Sequence, residues 1–178
     1  MKKVVIISLA LIFGLLFTSA CSKSEASKYS DVLYDQHLRI AKKILALVKV
    51  FKEGKPLSLS KRLRELKVET DKAVIMVNEM EGYKGDTELR DAYQENFDFY
   101  QSIVDNEYTE LVGMLEERNT AFSHSDVEYI QRMQETLNDR EEPLDEDLKI
   151  AIKAFEDKYS VSIDRSDLEK AIRRITRQ

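Results

Sequence analysis

The chain has 178 residues, enough for one domain with a sizeable core. Its formal charge of -5 becomes -7 if Lys2 and Lys3 are removed with an N-terminal signal. That acidic balance argues against nucleic acid or an anionic membrane surface as a partner of the domain as a whole. A single cysteine excludes an intramolecular disulfide, so the core alone must stabilise the domain.

Residues 1–20 have the three parts of a bacterial export signal peptide. Lys2 and Lys3 come first, the apolar stretch from Val4 to Phe17 follows, and small residues end the segment. The lysines favour the cytoplasmic face of the membrane, and the apolar run is shorter than the roughly 20 residues of a comfortable membrane span. The pattern therefore predicts a signal peptide that is cleaved.

Thr18-Ser19-Ala20-Cys21 resembles the lipobox of bacterial lipoproteins, in which the cysteine thiol takes a diacylglyceryl group before the signal is cut away. Thr18 departs from that pattern, which usually has leucine or another aliphatic residue at this position. Cys21 is therefore predicted to be the lipidated first residue of the mature chain. Ordinary secretion and an uncleaved anchor helix are the alternatives, but neither requires a cysteine here.

Residues 21–28 are predicted to form the lipidated cysteine and a short tether. The seven residues from Ser22 to Lys28 can reach at most about 25 Å, so the domain is expected close to its membrane. The expected location is the cell envelope, with the outer membrane or cell surface favoured over the inner membrane. The expected partners are the membrane, through the lipid on Cys21, and an envelope protein, whereas no nucleic acid is expected.

Residues 29–163 are predicted to form an all-α, up-down four-helix bundle, because apolar residues recur at helical spacing and glycine or proline separates the segments. Gly54 and Pro56 end the first segment, Gly82 ends the second, and Asp86 is the expected start of the third. The predicted core positions are Leu33, His37, Ile40, Ile44, Val48 and Phe51, then Leu59, Leu63, Leu66, Thr70, Ala73, Val77 and Met80, then Leu89, Tyr93, Phe97, Tyr100, Val104, Leu111 and Leu115.

The fourth segment is expected to open with Ser125 and Glu128, which have capping-box spacing. Its predicted core positions are Ile130, Met133, Leu137, Leu148, Ile152, Phe155 and Tyr159. Pro143 interrupts this pattern, so residues 138–143 form either a kink or a true break, with the kink favoured.

Residues 164–178 are predicted to form a short amphipathic basic helix, capped by Ser166 and Glu169. Its apolar stripe consists of Leu168, Ala171, Ile172 and Ile175, and its cations are Lys170, Arg173, Arg174 and Arg177. Docking on the bundle is favoured over an anionic bilayer, because cations also suit the C-terminal end of a helix dipole.

No catalytic, cofactor-binding or metal-ligating set is predicted. The two histidines lack the Glu-x-x-His spacing of a metal-binding bundle, and the glycine loops and nucleophile elbows of common enzymes are missing. His37 is expected to be half-buried on the first helix, and His124 to lie in a loop. The leading hypothesis is a non-enzymatic binding or interaction module; the alternative is an envelope carrier of a small ligand or metal within the bundle.

Several marks together resemble the leptospiral-type family of small bacterial surface lipoproteins. They are the lipobox, Tyr29, Phe97-Asp98-Phe99-Tyr100-Gln101, Ala154-Phe155 and Lys158-Tyr159. The resemblance covers roughly residues 29–163 and implies a helical bundle. It implies no mechanism and no functional residues, because the family supplies none to transfer.

Overall fold

The structure is a computed structural model that describes the backbone of residues 2–53, 58–118, 123–167 and 170. Within those ranges it describes side chains from residue 25 onward, except at positions 52, 117 and 118. Its helices are α1 (Lys2–Glu53), α2 (Leu59–Glu79), α3 (Glu88–Ile103), a π-helix (Val104–Tyr108), α4 (Thr109–Arg118) and α5 (His124–Tyr159). The described ranges contain no β-strand, which confirms the predicted all-α class.

Polar contacts fix the direction in which α1 and α2 pass each other. Gln36 Nε2 donates to the Glu69 carbonyl at 3.0 Å, and Tyr29 Oη donates to the Glu81 carbonyl at 3.0 Å. Tyr29 comes before Gln36, whereas its partner Glu81 comes after Glu69, so the two helices run antiparallel.

The same ordering relates α3 to both of its neighbours. Gln94 and Gln101 of α3 bond to Asn78 and Asp71 of α2, respectively. Toward α5, Asn96 Nδ2 donates to the Leu144 carbonyl at 3.2 Å, and Tyr100, later in α3, bonds Glu141, which is earlier in α5. The successive helices thus enclose one core, in which the largest fully buried side chains include Tyr93, Phe97, Leu33, Ile40, Leu47, Leu59, Leu66 and Leu89.

The predicted core-facing positions of the second and third segments are largely buried. Leu59, Leu66, Thr70, Ala73 and Val77 are buried in α2. Every predicted position of the third segment, from Leu89 to Leu115, is also buried. That segment is not one regular α-helix, because the π-helix interrupts it between α3 and α4.

The start of the first segment differs from the expected tether. Residues 25–28 continue α1, and Ala26 is completely buried. Tyr29, the first residue of the predicted bundle, therefore lies inside α1 and not at its start. The folded body therefore begins within about five residues of Cys21, whose own side chain lies outside the described residues.

Two expectations about the fourth segment need correction. Ser123, and not Ser125, is the N-cap of α5: its Oγ accepts from the Asp126 backbone N–H, and the Asp126 carboxylate accepts from the Ser123 backbone N–H. His124 is consequently the first helical residue and not a loop residue. Pro143 lies inside a continuous α5, which excludes only the less favoured alternative, a true break.

A tight turn between α2 and α3 explains the glycines at positions 82 and 85. A Cβ at Gly82 would stand 2.6 Å from the Asp86 carbonyl oxygen, and Gly85 has a φ of +83°. Both positions favour glycine, since one lacks space for a side chain and the other is left-handed. The turn brings Tyr83 into the core beside α1 and α5.

Candidate functional site

A buried polar network links three helices at the centre of the molecule. The Tyr100 hydroxyl of α3 lies 2.6 Å from Glu141 Oε1 of α5 and 3.4 Å from His37 Nε2 of α1. His37 and Tyr100 are 6% and 5% exposed, so His37 is buried and not half-buried as expected. We call these three side chains the polar network.

The distances indicate how the protons are placed. Tyr100 has one hydroxyl proton, and the short contact assigns it to the Glu141 carboxylate. His37 Nε2–H can then donate to the Tyr100 oxygen, which leaves Nδ1 as the unprotonated ring nitrogen. Nδ1 is buried and has no hydrogen-bond partner in the described part of the chain, which fits a neutral imidazole in this tautomer.

Burial determines the charge states of the polar network. Desolvation lowers the pKa of His37 to about 4, so the ring is neutral near pH 7. Burial also raises the pKa of Glu141, while the hydrogen bond from Tyr100 partly opposes that rise. The Tyr100 pKa lies well above its ordinary value, first because the phenol is buried and then because the Glu141 charge disfavours a phenolate.

Aromatic rings surround the imidazole of His37. Tyr93 and Phe97 meet it edge-on, with ring centroids 5.9 and 6.3 Å away, and Tyr100 is tilted at 5.7 Å. Asn96 of α3, which is 1% exposed, bonds to the Leu144 carbonyl of α5 and adds a second polar contact between these two helices. The arrangement holds α1, α3 and α5 in one register, since a shift would leave buried polar atoms without partners.

A shallow surface groove of about 260 Å³ lies between the π-helix and the first half of α5. Its lining combines apolar and polar groups: Glu107, Tyr129, Arg132, Met133, Thr136 and Leu137. On its π-helix side, Glu107 pairs with Arg140 of α5. The groove gives α5 an accessible contact surface, separate from the buried polar network.

The remaining histidine and the acidic clusters form no metal centre in the described ranges. No group of three or more His, Cys, Asp or Glu side chains there has an arrangement that could hold a metal ion. The His124 side chain is 91% exposed, and its Nε2 lies 3.3 Å from Glu128 one turn later. That contact is an ordinary pair of neighbours on a helix surface.

Two predicted features lie largely outside the described residues. They are the lipidation position, because no side chain is described before residue 25, and most of the C-terminal basic helix, because positions 168, 169 and 171–178 are not described. Within the part of the chain whose side chains are described, no helix is long and apolar enough to cross a membrane.

The sequence identified His37 and Tyr100 as core positions but missed their connection to Glu141. Glu141 belongs to an acidic run that resembles a solvated helix surface, and only the pairing of α3 with α5 brings it to Tyr100. Asn96 was also missed. A polar residue one position before the predicted core residue Phe97 was the available signal for it.

Comparison of this chain with family models, curated proteins and solved structures finds no match.

Proposed function

We propose that this chain is a membrane-anchored lipoprotein of the bacterial cell envelope, attached through a lipid on Cys21, whose helical body is a non-enzymatic binding or interaction module. The observation that carries the proposal is the position of Cys21. It follows a signal-like segment and precedes, by only five residues, the completely buried Ala26. A lipid at this position would hold the folded body against its membrane.

Metabolic labelling with a radiolabelled fatty acid tests the anchor. We expect label in the wild-type chain and none in Cys21→Ala, since the thiol is the proposed attachment atom. Absence of label in the wild type, or label that persists in the variant, would contradict the proposal.

An interaction role is favoured over catalysis by where the reactive groups lie. His37, Tyr100 and Glu141 form a titratable set that links three helices. His37 and Tyr100 are buried, and aromatic rings surround the imidazole. The accessible groove on α5 instead has the mixed apolar and charged lining that suits contact with another surface.

Native mass spectrometry and crosslinking in cells test the interaction role together. We expect the purified protein to carry no small molecule or metal, and to crosslink in cells to an envelope protein. Bound ligand or metal at one equivalent would instead support the carrier alternative.

We further propose that the helices close into an up-down four-helix bundle, with α3, the π-helix and α4 forming one long rod. The antiparallel contacts of α1 with α2, α2 with α3 and α3 with α5 support this topology. Placement at the outer membrane or cell surface, and membership of the leptospiral-type lipoproteins, belong to the same proposal and rest on the sequence features alone.

A further inference from the structure

The net acidic charge conceals a strong asymmetry between the two sides of the molecule. Residues 25–53 of α1 contain six cations and four carboxylates, and α2 contains five cations and four carboxylates. The side formed by these two helices therefore carries a formal charge of +3. Residues 88–159 hold seven cations and twenty carboxylates, which gives -13 for the side that contains α3 to α5. An anionic surface would therefore attract one side and repel the other.

Exposed cations on α1 share the face that points away from the core. Arg39, Lys42 and Lys49 are exposed, and their spacings of three and seven residues place them on one side of a helix. Val32, seven residues before Arg39, lies on the same side and is 47% exposed.

The outward face of α2 has the same character. Lys61, Arg64, Val68, Lys72 and Ile75 are exposed at spacings of three and four residues. Val68 and Ile75 are 49% and 58% exposed, so three of the five exposed large hydrophobic residues in the described ranges lie on these two outward faces.

The two outward faces lie on one side of the molecule, because α1 and α2 are antiparallel neighbours whose buried faces meet the same core. We call this combined surface the cationic face. Glu65 does not interrupt it, since this carboxylate lies between the helices and bonds Lys43. The exposed charged residues that the structure describes in α1 and α2 from residue 25 onward comprise eight cations and five carboxylates, so their net charge is +3. The carboxylates are Glu25, Asp31, Asp35, Glu53 and Glu79.

Two cations of the cationic face already have partners on their own helices. Lys72 lies 3.3 Å from Glu69, and Lys49 lies 3.8 Å from Glu53, but the lysine side chains remain 61% and 71% exposed. Exposed pairs of this kind are weak and can rearrange when a stronger anionic surface approaches.

We propose that the cationic face lies on the anionic phospholipid surface of the membrane, with the acidic side of α3 to α5 turned away from it. The inference rests on the proposed lipid anchor. Four residues from Cys21 to Glu25 span at most about 14 Å, so the part of α1 that follows the lipidated cysteine must stay near the headgroups. A helix that lies along the surface then brings Arg39 and Arg64 to the lipid phosphates.

The energetics suit reversible surface contact and not insertion. Each Lys or Arg near an anionic bilayer adds a favourable term that decays within a Debye length, so the contact should weaken at high salt. Val32, Val68 and Ile75 can add shallow apolar contact between the cations, as on other interfacial helices. The negative charge of the side that contains α3 to α5 is repelled by the anionic lipids, which favours the orientation with the cationic face on the membrane.

Single-cysteine labelling tests the orientation, because Cys21 is the only cysteine and acylation would block its thiol. Val68→Cys probes the cationic face, and Ile150→Cys, on the exposed side of α5, is the matched control. Each full-length precursor variant is expressed, purified from membranes, labelled with an environment-sensitive dye and reconstituted into phosphatidylcholine vesicles with or without phosphatidylglycerol. Nitroxide lipids then report proximity to the bilayer.

We expect quenching at position 68 only in vesicles that contain phosphatidylglycerol, its loss in concentrated salt, and no quenching at position 150. The combined variant Arg39→Glu, Lys42→Glu, Arg64→Glu should also lose quenching while keeping its helical circular dichroism. Equal quenching at both positions, or none at position 68, overturns the proposal. Protection of position 68 only after addition of an envelope protein overturns it too, since an acidic protein is then the partner.

The design separates failure of the orientation from failure of the anchor. A chain whose Cys21 is not acylated takes up two dyes instead of one and does not float with pure phosphatidylcholine vesicles. An anchored, singly labelled protein with unquenched position 68 refutes only the cationic face.

Discussion

Two aromatic regions of the core are stabilised in different ways. An aromatic cluster lies at the end of the core where α5 ends: Tyr29, Tyr83, Phe155 and Tyr159, whose neighbouring ring centroids are 4.7–5.9 Å apart. The Tyr29 hydroxyl bonds outward to the Glu81 carbonyl and the Tyr159 hydroxyl to Asp86, while the rings pack against one another. In the polar network, by contrast, the buried Tyr100 hydroxyl bonds both the buried His37 imidazole and the half-buried Glu141 carboxylate.

The two regions should therefore respond differently to substitutions and to pH. Ring packing depends on volume and should not change between pH 7 and pH 5. Asp86, which accepts from Tyr159, stays ionised in that range because its hydrogen bond with Lys158 lowers its pKa. A buried hydrogen-bonded network depends on proton positions, and loss of one member leaves the others without partners. Truncation should therefore affect the aromatic cluster most, whereas isosteric or pH changes should affect the polar network most.

The largest effect is expected from Phe155→Ala in the aromatic cluster. Phe155 is 3% exposed and contacts Tyr29, Tyr83 and Tyr159, so its removal leaves a cavity that costs about 3–5 kcal/mol. Urea unfolding at pH 7 and at pH 5 measures the change in the free energy of unfolding. The cost should be the same at both pH values.

Phe51→Ala is the control for that comparison, because it removes the same ring from a half-buried site of α1 at the edge of the core. It should cost clearly less than Phe155→Ala. Equal costs for the two variants would mean that the aromatic cluster is not a tightly packed region.

The next effect is expected from Tyr100→Phe, which keeps the ring and removes only the hydroxyl. His37 Nε2 and Glu141 Oε1 would both lose their partner, at a cost of about 1–3 kcal/mol. Tyr159→Phe makes the same change in the aromatic cluster, where Lys158 still bonds Asp86, and should cost less. Comparable losses in the two variants would remove the distinction between the regions.

The fold class and most helix positions could be predicted from the sequence because they depend on local spacing. The regular steps of α2 and the stop at Gly82 were sufficient, since each depends on residues a few positions apart. The cap of α5 was misplaced by two residues. Ser123 and Ser125 both stand three residues before an acidic residue, so spacing alone could not choose between them.

The polar network could not be predicted, because it depends on residues 41 and 63 positions apart in the chain. Glu141 also adjoins Glu142 and Pro143, which gives it the pattern of a surface residue. The cationic face was hidden for a related reason: net charge averages over the chain, and only helix packing assigns the charges to sides. Both features depend on which helices pack together, and composition and local spacing do not contain that information.

The last prediction concerns pH, because protonation of His37 destabilises the fold on acidification, whereas protonation of the nearby carboxyl groups has the opposite effect. Its pKa is about 4 in the fold against 6.5 ordinarily, so the unfolded chain binds the proton first as pH falls. Between pH 7 and pH 5 this costs the fold about 2 kcal/mol. Burial raises the pKa values of Glu141 and Asp145, so their contribution has the opposite sign and reduces the net loss.

His37→Gln isolates the histidine contribution within that net pH dependence. Urea unfolding at pH 7 and pH 5 should show that the variant loses less stability on acidification than the wild type, by about 2 kcal/mol. His124→Gln, at the exposed start of α5, is the control and should retain the wild-type difference between the two pH values. If both variants kept that difference, the pH response would have to arise outside the polar network, and proton position would no longer distinguish it from the aromatic cluster.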